Sequence, residues 1–366
     1  MLGKYPQEGI LWLLDRLNQY LETILPDGLL CDFLCTGVVN GVGSVLSFLP
    51  NILILFFFMY MFEESGYLTH VAALFDNLMH KIGLHGNSVV PLLMGFGCNV
   101  PAILATRTIP EKKRRILTML LIPFMSCSAR LPVLVLLVGT FFTKNPVLVI
   151  FGLYALTILM AIVTALFLNK VFFKTPIDLT PVEVLPLEKP KINRVLSFTW
   201  NAGYEYLKKI GTVVLIAMMA IWFLSHFPQN ENSTNQENTY LARFGHFIEP
   251  ALRPLGFDWK MSVCLTAGLA AKEFIVGTMA ILYGDENVDV ENVHIGDHLK
   301  SMGIFSIPTA LSFLVFAMLY MPCVPTIFTI KRESGAWKWA LFSVGYSIAV
   351  AWGIAFVVFR IVSLVL

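Results

Sequence analysis

The sequence predicts an all-α polytopic membrane protein built as two inverted repeats, each with three full crossings and one re-entrant hairpin. Three observations lead there. Charge is scarce: of 366 residues, 57% are hydrophobic and 14% charged, where soluble domains carry roughly 25% charged residues; mean hydropathy is +0.72. The apolar residues are gathered in runs such as 45–62, 116–140 and 146–168, near the length of about 20 residues that spans a hydrocarbon core of about 30 Å. Two further apolar segments, 88–108 and 261–283, are interrupted: the first by Pro91, Gly95, Gly97 and Pro101, the second by Gly268 and the adjacent Lys272 and Glu273. Broken backbone and charge at membrane depth are tolerated only where protein or a wet cavity shelters them.

Taken in order, residues 1–42 include an amphipathic stretch over 8–30. Leu11, Trp12, Leu14, Leu17, Leu21 and Leu25 oppose Asp15, Arg16 and Glu22, which suits a helix lying in the membrane interface. The first repeat covers 43–168, with crossings at 43–62, 116–139 and 147–168. Residues 169–209, carrying Pro176, Pro181, Pro186 and Pro190, form a cytoplasmic linker. The second repeat covers 210–366, with crossings at 210–227, 308–330 and 340–363.

Loop charge decides between hairpins and the alternative of eight straight crossings. Loops 107–115, 170–209 and 331–338 are rich in Lys and Arg and belong inside, whereas 284–300 is acidic. Eight straight crossings would put 331–338 outside. Hairpins at 88–108 and 261–283 put all three basic loops inside and the acidic loop outside. An odd number of crossings per repeat also inverts the second half. Self-similarity agrees: Tyr67-Leu68, Gly83 and Gly95 recur at one offset as Tyr240-Leu241, Gly256 and Gly268, and Phe124-Met125-Ser126-Cys127 resembles Tyr320-Met321-Pro322-Cys323. Interrupted segments at matching places in two halves mark transporter binding sites.

Several functions are unsupported. No basic stripe suggests nucleic acid, and no cleaved signal peptide is evident. The six cysteines, Cys31, Cys35, Cys98, Cys127, Cys264 and Cys323, have neither disulfide-framework nor zinc-ribbon spacing. There is no phosphate-cradling Gly-rich loop, no His-Glu-x-x-His and no Gly-x-Ser-x-Gly, so nothing points to an enzyme.

The candidate residues sit at the interruptions. In Gly95-Phe96-Gly97-Cys98-Asn99-Val100-Pro101 the glycines let the chain leave the helix and Pro101 starts a new one. Cys98 and Asn99 then either face a site or sit inert in a packing kink. Between Pro123 and Pro132, Ser126, Cys127 and Ser128 lie beside Arg130. They either face a cavity, or the hydroxyls mend the kinks while Arg130 snorkels. Met321-Pro322-Cys323-Val324-Pro325 supplies a third thiol. Such ligands suit Fe²⁺, Cu⁺ or Zn²⁺, so spacing does not choose the metal. Lys272 and Glu273 form either an internal ion pair or part of an ion path. Glu63, Glu64 and Asp76, at or near helix ends, are either solvated or accessory ion contacts, and the same holds for His294 and His298 in the acidic loop.

At these motifs the chain resembles the membrane region of the FeoB ferrous iron transporters. The matching strings are Glu64-Ser65-Gly66-Tyr67, Pro91 through Ile103, Ala105-Thr106-Arg107-Thr108, Pro123 through Pro132, Ala270-Ala271-Lys272-Glu273 and Tyr320 through Pro325. The resemblance implies a multi-pass protein of the bacterial inner membrane that passes Fe²⁺ into the cytoplasm between two gate repeats, with Fe²⁺ as the transported ion and no stably bound cofactor. The expected route is Cys98, Asn99, Ser126, Cys127, Ser128, Glu273 and Cys323. Family members carry a GTP-binding domain, a helical spacer and one more crossing ahead of the matching region. The expected partners are therefore the lipid bilayer, a separate GTP-binding subunit, a small cytoplasmic accessory protein and further copies of the chain. The competing expectations are a nucleoside-like organic solute or a membrane subunit that transports nothing.

Overall fold

The computed structural model describes residues 4–24, 39–173, 186–205, 239–270, 272–283 and 305–365, with a few isolated residues between. Among the described residues every regular element is helical. The chain opens with α1 (Lys4–Ile24), followed by α2 (Asn40–Glu64), continuous over the first predicted crossing, and α3 (Tyr67–Lys81). Two seven-residue helices follow, α4 (Val89–Gly95) and α5 (Asn99–Ala105); at 1.5 Å per residue each is only about 10 Å long. Next come α6 (Lys112–Leu121), α7 (Leu131–Phe141) and α8 (Pro146–Leu168). After α9 (Ile192–Glu205) comes α10 (Tyr240–Leu252), then the short pair α11 (Trp259–Ala270) and α12 (Phe274–Tyr283). The chain ends with α13 (Ile307–Leu319), α14 (Val324–Ser334) and α15 (Trp337–Val365). The predicted crossing 210–227 lies almost wholly outside the described residues.

The chain divides into two compact units, 1–70 with 184–241, and 71–183 with 242–366. In the first, α2 packs against both α1 and α9. Tyr60 stacks on Phe198 with ring centroids 5.6 Å apart, and Arg194 Nη1 donates to Glu64 Oε1 at 2.9 Å. Trp12, Leu13 and Leu17 of α1 are exposed, as expected of a helix that rests an apolar face on an interface.

The second unit repeats one motif. A helix, α3 or α10, is followed by a glycine in the left-handed region, Gly83 or Gly256, each at φ 81°. A Cβ at Gly83 would lie 1.9 Å from Asn169 Nδ2, and one at Gly256 would lie 2.6 Å from the Phe359 ring. Both the dihedral and the space therefore require glycine. Each glycine leads into a pair of short helices, α4–α5 or α11–α12, whose members pack on each other. Both pairs are hairpins, because their far ends are tied together. Asn87 Nδ2 donates to Thr108 O across the mouth of the first (3.4 Å). At the second mouth Lys260 Nζ donates to Leu282 O (2.8 Å), and Tyr283 Oη donates to Asp258 Oδ1 (2.7 Å).

An interrupted long helix follows each hairpin, α6–α7 over Lys112–Phe141 and α13–α14 over Ile307–Ser334. Both spans are long and apolar enough for the crossings predicted at 116–139 and 308–330. Within each the helix opens, at Met125–Cys127 and at Tyr320–Cys323. Proline supplies no N–H to the ladder and disfavours helical geometry in the residue before it. Cys127 (φ −69°, ψ 158°) and Cys323 (φ −64°, ψ 156°) have nearly the same extended backbone, each followed by a proline in the first turn of the continuing helix. The straight helices α8 and α15 complete the two sets. Among the described residues, Lys112–Phe141, Pro146–Phe172, Ile307–Ser334 and Trp337–Leu364 are long and apolar enough to cross a membrane.

The two interrupted helices run antiparallel. At one end Glu333, closing α14, receives Arg107 (Nε 2.8 Å, Nη2 2.5 Å) and Arg115 (Nη2 2.6 Å), beside the start of α6. At the other end Phe141, closing α7, lies 6.0 Å in ring centroids from Phe305, just before α13. The first hairpin has its mouth at the Arg107–Glu333 end. The second has its mouth at the Phe305 end, where Tyr283 and Phe305 meet at 5.6 Å. The hairpins thus enter from opposite ends and their tips approach the two openings.

Candidate functional site

Each opening leaves carbonyl oxygens without helical donors, and a buried polar group must find a partner. At the first, Arg130 lies 3% exposed; its Nη1 donates to Met125 O (3.4 Å) and its Nη2 to Pro123 O (3.3 Å). Nη2 also reaches Tyr320 O in the second opening (3.5 Å). Arg130 therefore does not snorkel; it bridges the two openings. Ser126 Oγ, fully buried, donates to Met318 Sδ at 3.3 Å, a second link between them.

The hairpin tips close on this centre. Gly97 O accepts from Ser128 N (3.3 Å) and Ser128 Oγ (3.0 Å), so the first tip is bonded to the first opening. A Cβ at Gly95 would stand 2.8 Å from Met125 Cβ, so glycine there permits the approach. Cys98 is extended (φ −152°, ψ 134°) and precedes α5, whose first turn holds Pro101. Asn99 is 5% exposed and its Oδ1 is buried without a hydrogen-bond partner. From the second tip Lys272 Nζ donates to Met321 O at 2.9 Å and sits 3.2 Å from the centroid of the Tyr320 ring. Tyr320 Oη in turn reaches Leu265 O (3.3 Å).

The sequence-predicted residues divide accordingly. Cys98, Asn99, Ser126, Cys127, Ser128, Cys323, Lys272 and Glu273 all come from the two tips and two openings, and Cys98 and Cys127 each lie within electrostatic reach of Cys323 and Glu273. Cys127 is buried, Cys98 and Cys323 are half-buried, and Cys323 Sγ pairs with Thr326 Oγ1 at 3.1 Å. Among the described residues no three His, Cys, Asp or Glu side chains converge on one metal position, so the thiols are spread along the centre. Lys272 and Glu273 are not an ion pair; the ammonium turns to the Met321 carbonyl instead.

The accessory residues stand elsewhere. Asp76 holds His80 (Nδ1 to Oδ1 3.1 Å), and the His80 ring lies 6.2 Å from that of His85, beside the mouth of the first hairpin. Glu64 is engaged by Arg194 and Glu63 is exposed, both in the first unit. His294 and His298 lie outside the described residues. The expected route names neither Arg130, Met318 nor Tyr320, nor the carbonyls of Gly97 and Met321, although a break at Gly95–Pro101 would release carbonyls. The proline pairs flanking each opening signalled that such carbonyls would be released there too.

Two family models match the chain. Residues 45–141 and 207–337 match the Gate family, described as "Nucleoside recognition", and residues 150–201 match the "Ferrous iron transport protein B C terminus". The chain is 41% identical to a protein of Porphyromonas gingivalis named "Fe(2+) transport protein A/Fe(2+) transporter FeoB fusion protein", covering 99% of this chain and 48% of that one. It is 38% identical to the Fe(2+) transporter FeoB of Methanocaldococcus jannaschii, covering 93% and 51%, and 38% identical to that of Campylobacter jejuni, covering 100% and 61%. The chain thus spans about half to three-fifths of the length of these relatives. No solved structure matches it. The chain belongs to the Gate family and is a FeoB membrane region.

Proposed function

We propose that the chain carries Fe²⁺ across the bacterial inner membrane into the cytoplasm, along a route between the two hairpin tips and the two helix openings. The observation that carries this reading is the buried, bondless Asn99 Oδ1 beside Cys98, in a centre that also holds Cys127, Ser126, Ser128, Cys323 and Glu273. A buried oxygen without a donor costs about 1–3 kcal/mol, and a passing cation would satisfy it. Soft sulfur and harder oxygen together suit a borderline ion. Donors spread along the route favour release over tight capture. The names of the relatives supply the choice of iron.

In this reading the two sets of elements are inverted repeats, each of three crossings and one re-entrant hairpin. Support comes from the antiparallel interrupted helices and the hairpins that enter from opposite ends. The basic loops 107–115 and 331–338 lie together through Arg107, Arg115 and Glu333, which agrees with one cytoplasmic side for both. A GTP-binding partner and a small cytoplasmic accessory protein complete the proposal; the latter draws on the fusion named for the P. gingivalis relative.

The test is radiolabelled Fe²⁺ uptake into vesicles holding the reconstituted chain under an imposed iron gradient. Cys98→Ser and Cys127→Ser are each expected to lower uptake at least about tenfold, as loss of a metal contact does elsewhere. Unchanged uptake would remove the thiols from the route. The Gate description favours a second reading, a nucleoside-like solute; uptake that nucleosides compete away and divalent metals do not would select it.

A further inference from the structure

The second hairpin tip brings its own cation into the centre. Lys272 is 3% exposed, its ammonium donates to the Met321 carbonyl and it lies against the face of the Tyr320 ring. Among the described residues no carboxylate is within 4 Å of it. A carbonyl oxygen and an aromatic face are the groups that seat a cation, and the Cys323 sulfur is within electrostatic reach. Satisfying one carbonyl needs only a neutral N–H donor. Holding the amine there as a full charge, without an opposite one and with Arg130 also on the Tyr320 carbonyl, is costly unless the carbonyl and the ring face repay it.

The first tip shows what the arrangement lacks without that charge. The 173-residue spacing that relates Gly83 to Gly256 and Gly95 to Gly268 also relates Asn99 to Lys272. One tip presents an oxygen that wants a cation; the other presents a cation that has taken a seat. We propose that Met321 O, the Tyr320 ring and Cys323 Sγ form a second cation seat on the route, which the Lys272 ammonium fills as a tethered surrogate until a divalent ion displaces it. This rests on the thiol route proposed above. The fixed charge keeps the route from standing open as a cation leak. It also opposes a bound divalent ion, lowering its affinity by at least about tenfold at the few ångströms that separate them.

The experiment is equilibrium Fe²⁺ binding to the purified chain in nanodiscs, under anaerobic reducing conditions. Lys272→Gln keeps a donor for Met321 O and discards the charge. It is expected to bind Fe²⁺ at least about tenfold tighter than the parent, with methylammonium competing in the variant and not in the parent. Unchanged or weaker binding by folded Lys272→Gln would overturn the proposal. If that variant melts before binding is read, methylammonium is expected to raise the melting temperature of Lys272→Met, and no effect there overturns the proposal equally. Cys127→Ser in the same assay separates the two readings. Weakened binding with Cys127→Ser beside unchanged binding with Lys272→Gln removes the surrogate and leaves the route. Unchanged binding with Cys127→Ser removes the route and the proposal with it.

Discussion

Lys112–Phe141 and Ile307–Ser334 match Pro146–Phe172 and Trp337–Leu364 in length and apolarity, yet their surroundings are opposite. In the first pair 67% of the apolar window is buried inside the protein; in the second pair 22% and 17% is. What separates them is the middle of each helix. Pro123 and Pro132 open one buried span and Pro322 and Pro325 the other, whereas neither straight span has a proline beyond its first turn. An opened helix cannot face lipid, because its free carbonyls would have no donor there. Each interrupted span is therefore surrounded by the elements that bring donors, and the demand that buries it also builds the polar centre.

That contrast can be broken most severely at Arg130. Arg130→Met removes the donor shared by Pro123, Met125 and Tyr320 carbonyls and, with each buried carbonyl left without a donor costing about 1–3 kcal/mol, is expected to give the largest drop in denaturant midpoint in detergent. Close behind, Gly95→Val forces a side chain into the space held by Met125; an expected loss of about 1–3 kcal/mol would show in the same unfolding curve. Glu333→Gln unpairs Arg107 and Arg115 where the ends of the two interrupted helices meet. It is expected to cost about 1–3 kcal/mol and to speed proteolysis of the 107–115 loop. Smallest is a change on a straight span. Leu159→Ala, 55% exposed on α8, is expected to shift the midpoint by no more than about 0.5 kcal/mol. A large loss at Leu159, or none at Arg130, would erase the distinction between the two kinds of span.

Much of this was legible in the sequence because glycine and proline act locally. Gly83, Gly95, Gly256 and Gly268 marked the repeat and both hairpins, and all four sit where a Cβ would meet a neighbouring atom closer than 3.0 Å. The positions of Cys98, Cys127 and Cys323 at the interruptions followed from the neighbouring prolines. What did not follow were the pairings set by tertiary approach. Arg130 reads as facing a cavity or as snorkelling, and neither reading foresees Tyr320 O, 190 positions away, beside it. Lys272 and Glu273 read equally as an ion pair or as part of an ion path, and neither reading pointed to Met321 O, where the Lys272 amine donates. Glu333 gave no signal at all, since its partners Arg107 and Arg115, just before and in α6, lie far back along the chain.

In the proposed route the openings form a sheltered, wet passage and not a packing defect. Single-cysteine variants keeping Cys98 or Cys323, both half-buried at the centre, can be reacted with a small water-soluble methanethiosulfonate and with a lipid-soluble maleimide. The account predicts that the water-soluble reagent modifies both and that Fe²⁺ slows the modification. Reaction with the lipid-soluble reagent alone, indifferent to Fe²⁺, would contradict it.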